Sequence, residues 1–222
     1  MQGPLNLRAC VAELVGTFLF FAVGFMAVQG TGALQAPVLV VVPFAFGLGL
    51  LAAIAAFGAV SGGHFNPAVT VAMVLDGRTS VIDAIGYIIA QVVGGAGSAL
   101  LILVLFNQDA VKGVITSPGH GFTDVQALIL ETVLTAVFIL IILASTKKAP
   151  AMAGLVIPLT LVAIHFAAVP FSGSSVNPAR SIGPALLGGD LGSLWIYLVG
   201  PVVGAVIGWA VWVSVARDER PA

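Results

Sequence analysis

Two copies of one tripeptide carry the chemistry of this chain, Asn66-Pro67-Ala68 and Asn177-Pro178-Ala179. Asn is a preferred N-cap, and Pro suits the first helical position because its missing N–H would have no intrahelical partner there. Each copy therefore predicts the start of a helix. The apolar pieces that follow are Ala68–Leu75 and Ala179–Leu187. At the helical rise such pieces reach only about 15 Å, roughly half a hydrocarbon core, so each reads as a half-helix dipping into a bilayer. A helix start carries roughly half a positive charge. Two of them facing each other, each with an amide that donates hydrogen bonds, would attract the oxygen of a neutral solute and repel cations. Arg180 stands three residues after Asn177, and a charge at membrane depth is costly and usually functional. Glu13 and Glu131 are further candidates within apolar runs, as are the histidines at 64, 120 and 165.

The composition explains what must position these groups. Of 222 residues, 59% are hydrophobic and only 8% charged, with a mean hydropathy of +1.15. Soluble domains carry roughly 25% charged residues, so a soluble enzyme, a disordered chain and a nucleic-acid binder are excluded. A formal net charge of −1 offers no basic patch for phosphate, and the single cysteine, Cys10, excludes a disulfide framework or a Cys-based metal site. Six runs are long enough to span: Ala9–Gly30, Val38–Phe57, Ile85–Phe106, Val125–Ser145, Ala149–Pro170 and Leu194–Ala216. The first is too long for a signal-peptide core. Strand-like alternation is missing, so a β-barrel is not expected. The expected fold is an all-α polytopic membrane protein of six transmembrane helices plus two re-entrant half-helices.

The halves repeat. Besides the tripeptide, Val92-Val93-Gly94 recurs as Val202-Val203-Gly204, Pro43 is matched by Pro158, and Glu13 by Glu131. With three spans per half, the halves must insert with opposite topology, which puts the two half-helix starts near the midplane. The chain is expected to be one channel domain over 1–222, with inverted repeats over about 1–110 and 120–222. Lys and Arg are counted by the positive-inside rule. A cytoplasmic N-terminus puts Arg8, Arg78, Lys147, Lys148, Arg217 and Arg220 inside and only Lys112 outside. Small residues at four-residue spacing, Gly86, Ala90, Gly94 and Ser98, and again Gly200, Gly204 and Gly208, predict close helix packing.

The segments from Ser61 to Thr70 and from Ser174 to Ser181, at this separation, resemble the aquaporin family, the major intrinsic proteins. The resemblance covers nearly the whole chain. It implies an hourglass fold, a pore in each subunit, a homotetramer in a plasma or bacterial inner membrane, and passive conduction without cofactor or catalysis. By register it places Phe46, His165, Ser174 and Arg180 in an outer constriction, and Asn66 and Asn177 at the pore centre. It implies that Glu13 and Glu131 accept hydrogen bonds from the re-entrant loops. His64 either lines the inner vestibule or braces its loop. A Phe, His, small residue and Arg set looks like the water-selective branch. So does Ser181 with Ala185, where glycerol-conducting relatives tend to carry an acidic and a basic residue. One departure is Leu198 after Tyr197, where water channels often have Trp.

Water in single file is the expected permeant, with protons and ions excluded; a facilitator of glycerol or small neutral solutes is the alternative. Readings from other classes fare worse. An intramembrane serine protease would pair Ser172 or Ser174 with His165, and a proton-coupled transporter would use Glu13 or Glu131. Neither explains the repeated Asn-Pro-Ala.

Overall fold

The computed structural model describes residues 5–119 and 121–216. His120, Arg217 and Arg220 lie outside the described residues. In chain order the helices are α1 (Leu7–Leu34), α2 (Val38–Ser61), α3 (Pro67–Leu75), α4 (Val81–Leu105), α5 (Gln108–Lys112), α6 (Asp124–Lys148), α7 (Pro150–Ser172), α8 (Pro178–Gly188) and α9 (Leu194–Ala216). No strand occurs among the described residues. Six of the helices, all but α3, α5 and α8, are long and apolar enough to cross a membrane. Their outward faces carry exposed Val, Leu, Ile and Phe, the surface that lipid rather than water accommodates. Six apolar helices, with the short α3 and α8 set between them, are the elements expected of a polytopic membrane protein with two half-helices.

Local sequence signals set the ends of these elements. Asn66 and Asn177 cap α3 and α8, each side chain accepting from the N–H two residues on, with Pro at the first helical position. Ser80 caps α4 through the Asp83 N–H, and Thr123 with Gln126 forms a reciprocal capping box on α6. Gly62 and Gly173 end α2 and α7 in the left-handed conformation, at φ 92° and 73°, and turn the chain back into the membrane. All the spans but α9 are longer than the sequence suggests. α1 runs four residues past Gly30, and α4 begins at Val81 because Ser80 caps it. The short α5 was not anticipated; Asn107 caps it, and Lys112 pairs with Asp109 at 2.8 Å. That pairing holds the exposed Asp109 carboxyl below its ordinary range.

The two halves pack alike. α1 lies against α2 and α4, as α6 lies against α7 and α9, and α2 meets α7 between them. Each half-helix docks across the boundary: α8 packs chiefly on α4, and α3 chiefly on α9. Glycine makes this possible. A Cβ on Gly94 would stand 2.5 Å from the Leu14 carbonyl of α1, and one on Gly95 2.4 Å from the Ala179 carbonyl of α8. On α9 a Cβ at Gly204 would stand 2.4 Å from the Thr132 carbonyl of α6. Helices in lipid associate through such close packing.

Candidate functional site

The chain between α2 and α3, and again between α7 and α8, is irregular backbone inside the bundle. Its polar groups that face away from the cavity have to be satisfied by the protein. Glu13 does this for the first loop. It accepts from the His64 N–H at 2.9 Å, the Phe65 N–H at 2.6 Å, the Ser61 hydroxyl at 2.6 Å and the Gln91 amide at 2.7 Å. Glu131 does it for the second loop, accepting from Ser175 N–H at 2.9 Å, Val176 N–H at 2.7 Å and the Ser172 hydroxyl at 2.7 Å. Both carboxylates are fully buried. Tyr87 and Tyr197 add a matching tie, donating to the carbonyls of Ser61 and Ser172. The sequence reading gave this tying role to none of the two tyrosines, the two serines and Gln91. Tyr87 to Tyr197 and Ser61 to Ser172 repeat at nearly the half-chain offset of the tripeptide, which was the available signal.

The loops meet at the two asparagines. Each side-chain oxygen caps its own helix, at 2.8 Å for Asn66 and 3.1 Å for Asn177. Each amide nitrogen crosses to the other loop: Asn66 Nδ2 donates to the Val176 carbonyl at 2.8 Å, and Asn177 Nδ2 to the Phe65 carbonyl at 2.9 Å. Phe65 and Val176 reach this position only with positive φ, 47° and 44°. For a β-branched residue such as Val176 that is a strained conformation, worth about 1–3 kcal/mol, which the surrounding bonds must hold. An Asn amide nitrogen has two hydrogens. One is used in the crossing bond, and both asparagines line a cavity of about 320 Å³. The remaining hydrogens are placed to donate to whatever occupies it.

That cavity runs from Thr146, Pro150 and Ile54 past His64 and the asparagines to Phe46, His165 and Arg180. The last three residues stand together on its lining. Phe46 and His165 have ring centroids 5.0 Å apart. The Arg180 guanidinium lies over Phe46 at 5.5 Å and over Phe25 at 5.4 Å, and its Nη1 donates to the Val114 carbonyl. Phe25, on α1, is a member of this cluster that no spacing in the sequence announced. His165 Nε2 and Arg180 Nε are buried without a partner among the described residues. Ser174 is fully buried and is not among the residues lining the cavity; its hydroxyl lies 3.3 Å from His165 Nδ1. His64 is among the residues lining the cavity, and its Nδ1 lies 3.1 Å from Thr70 Oγ1. Ser181 takes part in a hydroxyl chain, with Thr116 donating to it at 2.7 Å and Ser175 at 2.7 Å from it. Ser172 bonds Glu131 and His165 faces Ser174, so neither serine is paired with a histidine and carboxylate in the manner of a protease.

Comparison with known proteins agrees with this geometry. A profile of the family described as Major intrinsic protein matches residues 1–212. Aquaporin Z of Rhodopseudomonas palustris is 41% identical, covering 94% of this chain and 93% of the relative. Glycerol uptake facilitator protein-like 6 of Lactiplantibacillus plantarum is 36% identical over 90% of this chain and 94% of the relative. The X-ray structure of the aquaglyceroporin from Plasmodium falciparum matches with a TM-score of 0.86, covering 96% of this chain and 97% of that one; at 20% identity it speaks for the fold alone. The matched length, the identities and the paired Asn-Pro-Ala helix starts place this chain in the major intrinsic protein family of membrane channels.

Proposed function

We propose that the protein is a passive water channel that discriminates against glycerol and excludes protons and ions. The observation that carries this reading is the end of the cavity at Phe46, His165 and Arg180. Two rings 5.0 Å apart face a guanidinium that a carbonyl and two aromatic faces hold in place. Such an opening has a fixed cation, two nitrogen edges and an apolar wall. A small polar molecule can bond to the nitrogens as it passes, whereas a three-carbon polyol must push its backbone between the rings.

At the centre, the second hydrogens of Asn66 and Asn177 donate to the oxygen of one permeating water. Both hydrogens of that water then point outward along the file. A chain of waters so oriented is broken as a proton wire, and the positive ends of α3 and α8 raise the energy of any cation there. Asn66, Asn177 and the constriction residues are the site; Glu13, Glu131 and His64 support it. The channel assembles as a homotetramer with each subunit conducting, in a plasma or bacterial inner membrane, with both termini cytoplasmic. The two inverted repeats meet at the asparagines.

A glycerol facilitator is the second reading, favoured by the 36% identity to the protein named a glycerol uptake facilitator. Stopped-flow light scattering on proteoliposomes separates the two. Shrinkage in sucrose should be fast, with a low activation energy. Re-swelling in glycerol should match protein-free vesicles. Glycerol entry at rates near those of water would overturn the water-selective reading and leave the facilitator.

A further inference from the structure

Between α5 and α6 the chain presses on the ends of α7 and α8. The Gly119 N–H donates to the Phe171 carbonyl at 2.9 Å, and a Cβ on Gly188 would stand 2.6 Å from Ile115 Cδ1. Val114 and Thr116 of this segment are buried, although its backbone is irregular. Among the described residues, the Arg180 guanidinium donates to one acceptor, the Val114 carbonyl, and its Nε is unpartnered. Whatever fixes Val114 therefore fixes the guanidinium.

Two residues past Val114, Thr116 starts a chain of buried hydroxyls. Thr116 Oγ1 donates to Ser181 Oγ at 2.7 Å, the hydroxyls of Ser181 and Ser175 are 2.7 Å apart, and Ser175 Oγ donates to the Asn177 carbonyl at 2.8 Å. A hydroxyl has one hydrogen. Ser175 spends its own on Asn177, so Ser181 donates to Ser175 and takes its donor from Thr116. The direction is fixed by this count, from Thr116 through both serines to the start of α8. Both ends of the chain meet Arg180. The Asn177 carbonyl also accepts from the Arg180 N–H at 3.1 Å, and the Val114 carbonyl accepts from its guanidinium. The other half shows the same arrangement with a different donor. In the register of the tripeptides, Thr70 stands where Ser181 does, and it takes its hydrogen bond from Gln91 on α4 at 3.0 Å. In the second half the donor comes instead from the segment that carries Val114.

We propose that Thr116 is a positioning residue for solute selection: its hydroxyl anchors the Val114 carbonyl, and through it the Arg180 guanidinium, although Thr116 does not line the cavity. This rests on the water-selective reading given above. A segment released from Ser181 lets the carbonyl withdraw, and the guanidinium then leaves its place opposite Phe46 and His165.

The ratio of glycerol to water permeability in proteoliposomes tests it. Thr116→Val removes the hydroxyl and keeps a methyl beside Gly173, where a Cβ would stand 3.4 Å from Thr116 Cγ2. Water flux should hold while the ratio rises about fivefold, the factor that one buried hydrogen bond supplies. Thr116→Ser keeps the hydroxyl and loses the methyl, and should select like wild type. Ser181→Ala breaks the chain one link further on and should raise the ratio as much, with no further rise in the double variant, because both changes cut one chain. It keeps the test open if Thr116→Val does not fold. A lower melting temperature with the ratio unchanged in both variants would mean a role in folding alone and overturns the proposal. A leaking Thr116→Ser beside a selective Thr116→Val would assign the effect to packing and overturns it too. Arg180→Val, measured alongside, separates this from the reading beneath it. If Arg180→Val leaks and the hydroxyl variants do not, the filter stands and the positioning role falls. If Arg180→Val selects like wild type, the filter reading falls and the proposal with it.

Discussion

Arg180 and Val69 hold the same place in the two halves, each three residues after its Asn, yet one is a cation and the other aliphatic. The same contrast runs through the cavity wall. In the register of the tripeptides, which differs from the 115-residue offset of Pro43 and Pro158, the position matching Phe46 is Ile157 and the position matching His165 is Ile54, each 111 residues away. Ile54, Ile157 and Val69 all line the cavity, as do Phe46, His165 and Arg180. One end of the path is thus aromatic and charged, and its mirror position is aliphatic. Under the proposed function, passage through sites in series is limited by the narrowest, so one constriction suffices and the repeat is free to diverge at the other end. The centre has no such freedom. There the two asparagines, the two carboxylates and the two tyrosines are the same in both halves, because each loop satisfies the other.

The loops are also braced differently. Gln91 ties Glu13 to Thr70, at 2.7 and 3.0 Å, and the matching position on α9 is Pro201, which has no such donor. The second loop is instead tied outward through Ser175, Ser181 and Thr116 to the segment whose Val114 carbonyl holds Arg180. Bracing therefore follows the divergence: the half that carries the guanidinium is anchored to the loop that positions it.

The severest break in the comparison is removal of either shared carboxylate. Glu13→Ala and Glu131→Ala each leave two buried loop N–H groups without an acceptor, at about 2 kcal/mol apiece. Both variants should lose several degrees or more in thermal stability and yield little folded protein by size-exclusion chromatography. A stable, conducting Glu131→Ala channel would refute the loop-support role. Arg180→Val makes the filter end resemble Val69. Water flow should persist, while glycerol and cation leak rise about tenfold or more, equivalent to roughly 1.4 kcal/mol off the barrier. Unchanged solute and ion leak in flux and planar-bilayer measurements would mean that the guanidinium is not part of the filter. Opening the ring pair, as Phe46→Ala with His165→Gly, should admit larger polyols without loss of water flow, read by the same swelling assay.

Gln91→Met sharpens the comparison by giving Glu13 the three donors that Glu131 has. It should cost about 1 kcal/mol, visible as a small drop in melting temperature with water flux retained. A loss as large as that of Glu13→Ala would show that the two loops are not braced in the same way after all. The smallest effect on the untreated channel belongs to Ser174→Cys, since the two side chains are nearly isosteric. Wild type, whose sole thiol Cys10 lies in the first turns of α1, should resist mercuric chloride. The variant should become sensitive and recover with a thiol reductant, because a mercurial held there displaces the His165 ring 3.3 Å away. A variant indifferent to mercury would place Ser174 out of reach of the pore.

The apolar spans, the half-helices and their caps follow from local rules that sequence carries openly. A run of about twenty apolar residues spans lipid as a helix, and Asn-Pro favours a helix start. The repeat added the pairing of Glu13 with Glu131 and of Asn66 with Asn177, at offsets of 118 and 111 residues. Sequence did not determine that each asparagine amide crosses to a carbonyl of the other loop, or that Phe25 packs on Arg180, or that the Ser174 hydroxyl lies beside His165. Nor did it determine that Gln91 reaches both Glu13 and Thr70 while Pro201 leaves its half without an equivalent. These are decided by where helices distant in the chain cross, and that depends on packing distances of a few tenths of an ångström at glycines such as 94, 95 and 204. No local preference encodes those distances; they exist only when all six spans are in place.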